Sequence, residues 1–319
     1  MVGSAFITAI LAATTTHLVA RHRETRAEQR HPPLGDIVDI DGHGMHAVVQ
    51  GEGQDVVLIH GSSGSVRDFT FALMPELAKR YRVTAVDRPG LGFSSAHSEG
   101  TLIAVQAELI RRTAEKLGAR NPIVLGQSYG AAVALAWAVE RPESLAALVS
   151  VSGPSHPWDT GLSRYYRITS HPLGQALLIP LITAFVTPAR VRAELESVFA
   201  PQSAPDDYGD HFGTGLTLRR ASLRANAAQR RDLHSQIEKL YPNYNTLSLP
   251  IEIVHGQEDT TVSAELHATR LANDAPNAHL TLLPGVGHMP HHVAVAEVVA
   301  AVDRAAARAG LHPAGNWPY

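Results

Sequence analysis

Cysteine is missing from all 319 positions. Its absence excludes disulfides, thiolate metal sites and cysteine nucleophiles together, and it leaves the compartment open, since such a chain suits reducing and oxidising surroundings equally. A surplus of charge is missing too: 27 basic and 30 acidic residues give a net value of −3. No general field draws nucleic acid or an anionic surface, so nucleic acid is not an expected partner. Internal repeats and low-complexity tracts are also lacking. What remains is an ordinary globular composition, 45% hydrophobic and 18% charged. Its length suits one large domain, or a main domain carrying an insertion.

Residues 2–20 contain no Asp, Glu, Lys or Arg, and they end at Arg21, Arg23 and Arg26. A bilayer core needs about 20 apolar residues, but Ser4, Thr8, Thr14, Thr15, Thr16 and His17 dilute this run. No basic residue precedes it and no small-residue cleavage site follows, so it does not read as a cleavable signal. Two readings stand: a membrane anchor with its arginine side cytoplasmic, or an amphipathic helix lying on the protein or partly disordered. The expected location is accordingly membrane-associated or cytoplasmic. Residues 21–35, charged and Pro-containing, read as a linker.

Beyond the linker the pattern turns to strands. Ile37–Ile40 and Met45–Gln50 flank a Gly42–Gly44 turn and predict a hairpin. Apolar strands follow at 55–60, 82–86, 122–125 and 147–151, alternating with helices over 65–80, 103–117 and 129–139. Buried strands alternating with amphipathic helices imply a mostly parallel sheet. The alternation stops after Gly153-Pro154, and 155–249 reads as helical and irregular, with arginines at 219, 220, 224, 230 and 231. Strands resume at 251–255 and 280–283, before a helix over 293–307. The organisation is thus an N-terminal segment (1–35), a core built from 36–154 and 250–310, and a helical cap inserted between. The tail Pro313–Tyr319 reads as loose.

Gly126-Gln127-Ser128-Tyr129-Gly130 carries the strongest chemical signal. The pentapeptide alone also fits a ligand-binding turn or a structural serine. Its place between a strand and a helix points instead to a tight turn that lifts a nucleophilic Ser128 to a helix N-terminus. A serine needs a base. Among 18 histidines, His288 stands in a Gly-flanked loop after the last strand, where a parallel sheet gathers its site. His291 and His292 open the final helix, and nothing in the sequence supplies a carboxylate or thiolate set that would make the three a metal site. Asp259 follows the penultimate strand and is the candidate to orient the imidazole, with Glu258 and Asp159 as rivals. For the oxyanion, the backbone N–H of Tyr129 is one donor. The second comes from the His60–Gly64 turn, with Ser62 ahead of Ser63.

His60-Gly61, Asp87-Arg88-Pro89-Gly90-Leu91-Gly92, the 126–130 turn, Gly256-x-x-Asp259 and Gly287-His288 resemble, in order and spacing, the α/β-hydrolase superfamily, over about 37–307. The resemblance implies an α/β-hydrolase fold with an inserted helical cap, a structural role for 87–92, and no metal or other cofactor. Dehalogenases and epoxide hydrolases of this superfamily carry Asp where Ser128 stands, and the His-Gly-Gly-Gly run of one esterase branch is absent. Carboxylesterases, ring-fission C–C hydrolases, cofactor-free haloperoxidases or perhydrolases, and thioesterases remain. The expected function is hydrolysis of a small apolar ester, with a C–C hydrolase as alternative and a non-enzymatic ligand receptor as the contrasting class. Ser63, Trp158, Tyr165, Phe185 and Phe212 are the expected pocket wall, with Tyr166, Leu177, Leu178 and Phe199 as further cap apolar residues. The cap arginines could instead meet a substrate carboxylate. Oligomeric state is not legible.

Overall fold

The computed structural model describes residues 2–311, with side chains from Ile7 onward; the tail Pro313–Tyr319 lies outside the described residues. Eight strands form one sheet: β1 (Asp36–Ile40), β2 (His43–Gln50), β3 (Gln54–Ile59), β4 (Tyr81–Val86), β5 (Ile123–Gln127), β6 (Ala147–Val151), β7 (Ile251–Gly256) and β8 (Ala278–Leu283). Their order is β1-β2-β4-β3-β5-β6-β7-β8. The hairpin β1–β2 and the β2–β4 pair are antiparallel and the rest parallel. Every residue of β5, β6 and β7 is buried, which is why these strands read as continuous apolar runs.

The helices are α1 (Val2–Arg30), α2 (Val66–Thr70), α3 (Leu73–Leu77), α4 (Ile103–Lys116), α5 (Tyr129–Glu140), α6 (Arg164–Ser170), α7 (Ile179–Phe185), α8 (Pro188–Phe199), α9 (Tyr208–Phe212), α10 (Thr214–Thr217), α11 (Arg220–Leu240), α12 (Arg270–Asp274), α13 (Pro290–Val293) and α14 (Val295–Arg308). Two apolar clusters cover the sheet, one containing α4 and α5 residues, the other α2, α3 and α14 residues. Between β6 and β7 the chain leaves the sheet, and α6–α11 form the cap. This is the α/β-hydrolase fold, a mostly parallel sheet flanked by helices.

Two expectations need correction. The helix expected over 65–80 is broken at Phe71–Ala72, where Ala72 has φ −136° and ψ −54°. Tertiary contacts anchor α2: Asp87 Oδ1 accepts the Val66 N–H at 2.7 Å, and Asp68 meets His291 and His292 of α13. The linker expected over 21–35 is mostly helix, because α1 runs on to Arg30. Its second half docks on the cap. Ala20 and Ala27, two turns apart, are buried. Glu24 takes a bidentate pair from Arg220 at 2.7–2.8 Å, and Glu28 pairs with Arg219 at 2.9 Å.

Candidate active site

β5 ends at Gln127, and Ser128 makes the turn into α5 at φ 51° and ψ −121°. That conformation costs a residue with a Cβ about 1–3 kcal/mol. It is held by the Ser128 N–H donating to Val151 O and the Ala131 N–H to Ser128 O, both at 2.9 Å. The flanking glycines are obligatory. A Cβ on Gly126 would sink into the carbonyl of Gly130, and one on Gly130 into that of Ile59.

Ser128 Oγ lies 3.0 Å from His288 Nε2, and His288 Nδ1 lies 2.7 Å from Asp259 Oδ2. The loop after β7 presents Asp259, whose Oδ1 accepts the N–H groups of Thr261 and Val262 at 2.8 and 2.9 Å. The loop after β8 presents His288. Burial alone would raise the Asp259 carboxyl, but hydrogen bonds from His255 and His288 hold it well below its ordinary range. The rivals stand elsewhere: Glu258 and Asp159 are exposed to solvent. One partner was missed in the sequence. His255, at the end of β7, places Nε2 3.1 Å from Asp259 Oδ2, and a lone buried histidine at a strand end carries no local sign of that role. The arrangement is a hydrogen-bonded chain along which the Ser128 proton can pass to an imidazole whose other nitrogen is fixed by a carboxylate.

The His60–Gly64 turn abuts Ser128, for a Cβ on Gly61 would lie 3.1 Å from Ser128 Cβ. The N–H of Ser63 is engaged, donating to Asn226 Oδ1 of α11 at 2.8 Å, which removes Ser63 as a rival oxyanion donor. Behind the turn, fully buried Arg88 donates from Nε to His60 O at 3.0 Å and from Nη2 to Gly61 O at 2.9 Å. Its Nη1 reaches Gln106 and Gln229, and its guanidinium stacks 4.1 Å from the Tyr129 ring centre. The Arg88 N–H donates to His60 Nε2 at 2.9 Å, so His60 carries its proton on Nδ1 and gives it to Gly61 O at 2.9 Å. Burial, with the nearby Arg88 charge, lowers His60 to about 4; burial lowers Arg88 to about 10. At neutral pH the imidazole is neutral and the guanidinium charged.

His291 and His292 do have a carboxylate, contrary to the sequence expectation. Asp68 of α2 sits with Oδ1 2.8 Å from His292 Nε2 and Oδ2 3.2 Å from His291 Nε2. Tyr208 Oη of the cap donates to Oδ1 at 2.6 Å. These three groups offer ligand atoms within 4.8 Å of one another. With Nε2 given to an ion, each ring would carry its proton on Nδ1, and neither Nδ1 has a partner. The tautomers that leave only an acceptor unpaired donate from Nε2 to Asp68. Burial opposes its charge, but these donors hold the Asp68 carboxyl well below its ordinary value. The cluster thereby ties α2, α13 and the cap together.

The expected pocket wall divides. Phe212 stacks on Tyr208 at 5.4 Å and joins Phe199 beside Met289, the neighbour of His288. Trp158 packs edge-on against His234 at 4.6 Å and on the core. Tyr165 and Phe185, expected in the pocket wall, instead stand in solvent, 45% and 53% exposed. Tyr166 faces inward instead, its Oη accepting from Asn226 Nδ2 at 3.4 Å.

A family model described as alpha/beta hydrolase fold matches residues 56–295, and the chain belongs to that family. A 2-hydroxymuconate semialdehyde hydrolase of Pseudomonas putida is 27% identical over 269 residues, 82% of this chain and 90% of that protein. A pimeloyl-(acyl-carrier protein) methyl ester esterase of Nitrosomonas europaea is 27% identical over 261 residues, 77% of this chain and 93% of that protein. A bacterial membrane phospholipase A has the same fold, with a TM-score of 0.63 over 95% of this chain and 97% of that one at 19% identity.

Two measurements follow from the geometry. Ser128→Gly and Ser128→Ala both lose Oγ, but only glycine relaxes the positive φ. The glycine variant is expected to be the more stable by about 1 kcal/mol in denaturant titration; equal stabilities would show that the turn is unstrained. Burial lowers His60, His267 and His291 from their ordinary 6.5 to about 4. Between those values the unfolded chain binds more protons than the folded one, so stability falls as pH drops from about 6.5 toward 4. Tm should be lower at pH 5 than at pH 7, and an unchanged Tm would contradict the assignment.

Proposed function

We propose that the protein is a serine hydrolase that cleaves carboxylic esters with an apolar acyl group. The observation that carries this reading is the linked pair of contacts from Ser128 Oγ to His288 Nε2, 3.0 Å, and from His288 Nδ1 to Asp259, 2.7 Å. Ser128 Oγ attacks the ester carbonyl carbon while its proton moves to His288 Nε2. Asp259 holds the imidazole tautomer and stabilises the imidazolium. The N–H groups of Tyr129 and Ser62 receive the oxyanion, helped by the positive end of α5. Collapse of the intermediate expels the alcohol with the proton from His288. Water, deprotonated by His288, then attacks the acyl-enzyme and releases the acid.

Arg88 enters this mechanism as a positioning residue. The Gly61 carbonyl and the Ser62 N–H are two ends of one peptide unit. Charged Arg88 and neutral His60 both donate to the carbonyl, at 2.9 Å each. They fix the plane of that unit and polarise it, so the N–H at the far end becomes a stronger donor to the oxyanion.

A second reading has one observation in its favour. On α11, most of the arginines have defined partners: Arg220 with Glu24, Arg224 with the Gln175 carbonyl, and Arg231 with Asp232. Arg230 instead lies with its guanidinium 5.2 Å from the Tyr166 ring centre and a buried Nε that lacks a partner. It stands one turn from Asn226, on the helix face toward the site. A carboxylate on the substrate would suit it, as in a C–C hydrolase acting on a ring-fission acid. The catalytic residues would be unchanged.

Ser128→Ala and His288→Ala are each expected to lower kcat on a p-nitrophenyl ester by roughly 10⁴-fold or more, with the double variant little worse. Asp259→Asn should be severe, while Glu258→Gln and Asp159→Asn should be silent. Full activity of Ser128→Ala would end the serine mechanism. A preference of about a hundredfold for acidic dienoate substrates over neutral esters, roughly 2.7 kcal/mol, would promote the second reading. Arg88→Met should lower kcat about ten- to a hundredfold with KM little changed, and Arg88→Lys should recover part of the loss. A loss confined to KM would remove Arg88 from the oxyanion site.

A further inference from the structure

Large apolar side chains are unevenly exposed. Of sixteen that stand in solvent among the described residues, ten fall in two stretches: Ile7, Ile10, Leu11 and Leu18 on α1, and six more between Tyr165 and Phe185 in the cap. Leu173 and Leu177 are the most open, at 65% and 66%. The two stretches adjoin. α1 packs along α7, and Arg23 donates to the carbonyls of Ala184 and Val186 at the end of α7, at 2.9–3.1 Å. Every residue from Ile7 to Thr15 is exposed, so this half of α1 stands clear of the body, on the same continuous helix whose second half is docked.

Charge follows the same partition. The chain is net acidic, yet residues 1–23 and 160–193 contain no Asp or Glu. Arg21, Arg164, Arg167 and Arg192 are exposed within them. An apolar face whose own two stretches carry no carboxylate, with Glu194 of α8 near Tyr165 at its edge and paired to Arg190, and rimmed by arginine fits a lipid interface with anionic headgroups, where apolar residues enter the acyl boundary and nearby arginines meet the headgroups. Exposed apolar patches of this kind on a globular surface mark interaction sites. Among the described residues, no single helix is long and apolar enough to cross a membrane. The bent pair Arg164–Ser170 and Gly174–Phe185, at 91°, does pass by length and composition. A bend of that size suits a segment that enters and leaves an interface from one side.

We propose that this composite face of α1 and α6–α7 docks on an anionic phospholipid bilayer and that the substrate is an acyl ester held in that bilayer. The substrate half of the proposal rests on the ester-hydrolase reading. α6 joins the two surfaces. Its outer side presents Tyr165 and Ile168, while its inner side presents Tyr166 to Asn226, which in turn holds the Ser63 N–H. α6 and Asn226 of α11 therefore link the docking face to the turn beside Ser128.

Flotation of the full chain with vesicles containing phosphatidylglycerol, and with vesicles of phosphatidylcholine alone, tests the docking. The chain and its Ser128→Ala variant should float equally, and preferentially with the anionic vesicles. Leu173→Glu/Leu177→Glu should reduce the bound fraction about tenfold or more, and Arg164→Gln/Arg167→Gln should remove the anionic preference. In the leucine variant, hydrolysis of a long-chain acyl ester embedded in vesicles should fall about tenfold, while its rate on a water-soluble short ester stays at the parent value, which also shows that it is folded. Unchanged flotation of the leucine variant overturns the proposal. So does a parent that ignores vesicles and forms dimers that the same substitutions dissociate, which would assign the face to a second copy. Flotation without hydrolysis of either ester would support docking and overturn the ester reading alone.

Discussion

The site depends on how closely the first turn of α5 approaches the end of β3. Gly130 rests against the carbonyls of Ile59 and His60 with no room for a side chain. That contact brings the Tyr129 amide and the helix N-terminus beside the His60–Gly64 turn. It also forces Ser128 into a backbone region that costs about 1–3 kcal/mol. The helix behind it offsets the cost. Val133, Leu135 and Trp137 are buried, and each contributes about 1.5–3 kcal/mol on burial. The alanines between them let α5 lie close on the sheet, so packing wins over local strain by a wide margin.

Buried charge forms the second constraint, and it lies where the chain would otherwise be free to shift. Asp87 is fully buried. It accepts the Val66 and Phe93 N–H groups at 2.7 and 2.8 Å and meets His46 at 2.6 Å. A side chain on Gly92, at φ +52°, would collide with that carboxylate, which explains the glycine spacing after Arg88. Removing one member of such a network leaves an uncompensated charge at a cost of about 3–5 kcal/mol. The same turn that Asp87 fixes carries Arg88 to the carbonyls of His60 and Gly61. A segment that reads as structural and a segment that reads as catalytic are therefore one hydrogen-bonded unit.

Most of the core was legible because its signals are local. β5, β6 and β7 are apolar on both faces, and the 126–130 turn declares itself by two glycines whose need is steric. Asp259 and His288 were legible because each follows a strand whose end the parallel sheet must bring to one edge. Part of what escaped depends on partners far along the chain: Asp68 meets His291 and His292 across 223 and 224 positions. His255 escaped although its partners are near, because its Nε2 meets Asp259 and the Val262 carbonyl, at 2.9 Å, only through the turn that the chain makes after β7. The break between α2 and α3 escaped because apolar residues continue across it, with Phe69, Leu73, Met74 and Leu77 all buried. The length of α1 escaped because charge after Ala20 resembles a linker until Arg219 and Arg220 appear opposite Glu28 and Glu24.

That last contact changes what the N-terminal helix is. By sequence it precedes the core; by contact it is part of the cap. α1 packs along α7 and α10, pairs with Arg219 and Arg220 at the start of α11, and through His31 reaches the Asp210 carbonyl of α9 at 2.8 Å. Gly215 and Ala27 meet so closely that a Cβ on the glycine would lie 2.9 Å from the Ala27 Cβ. The cap in turn joins the core through both kinds of contact. Leu233, Ile237 and Leu240 of α11 lie in the same apolar cluster as α4 and α5, while Tyr208 meets Asp68, Gln229 meets Arg88 and Asn226 meets Ser63. Through the cap, α1 is therefore tied to the core that carries Ser128.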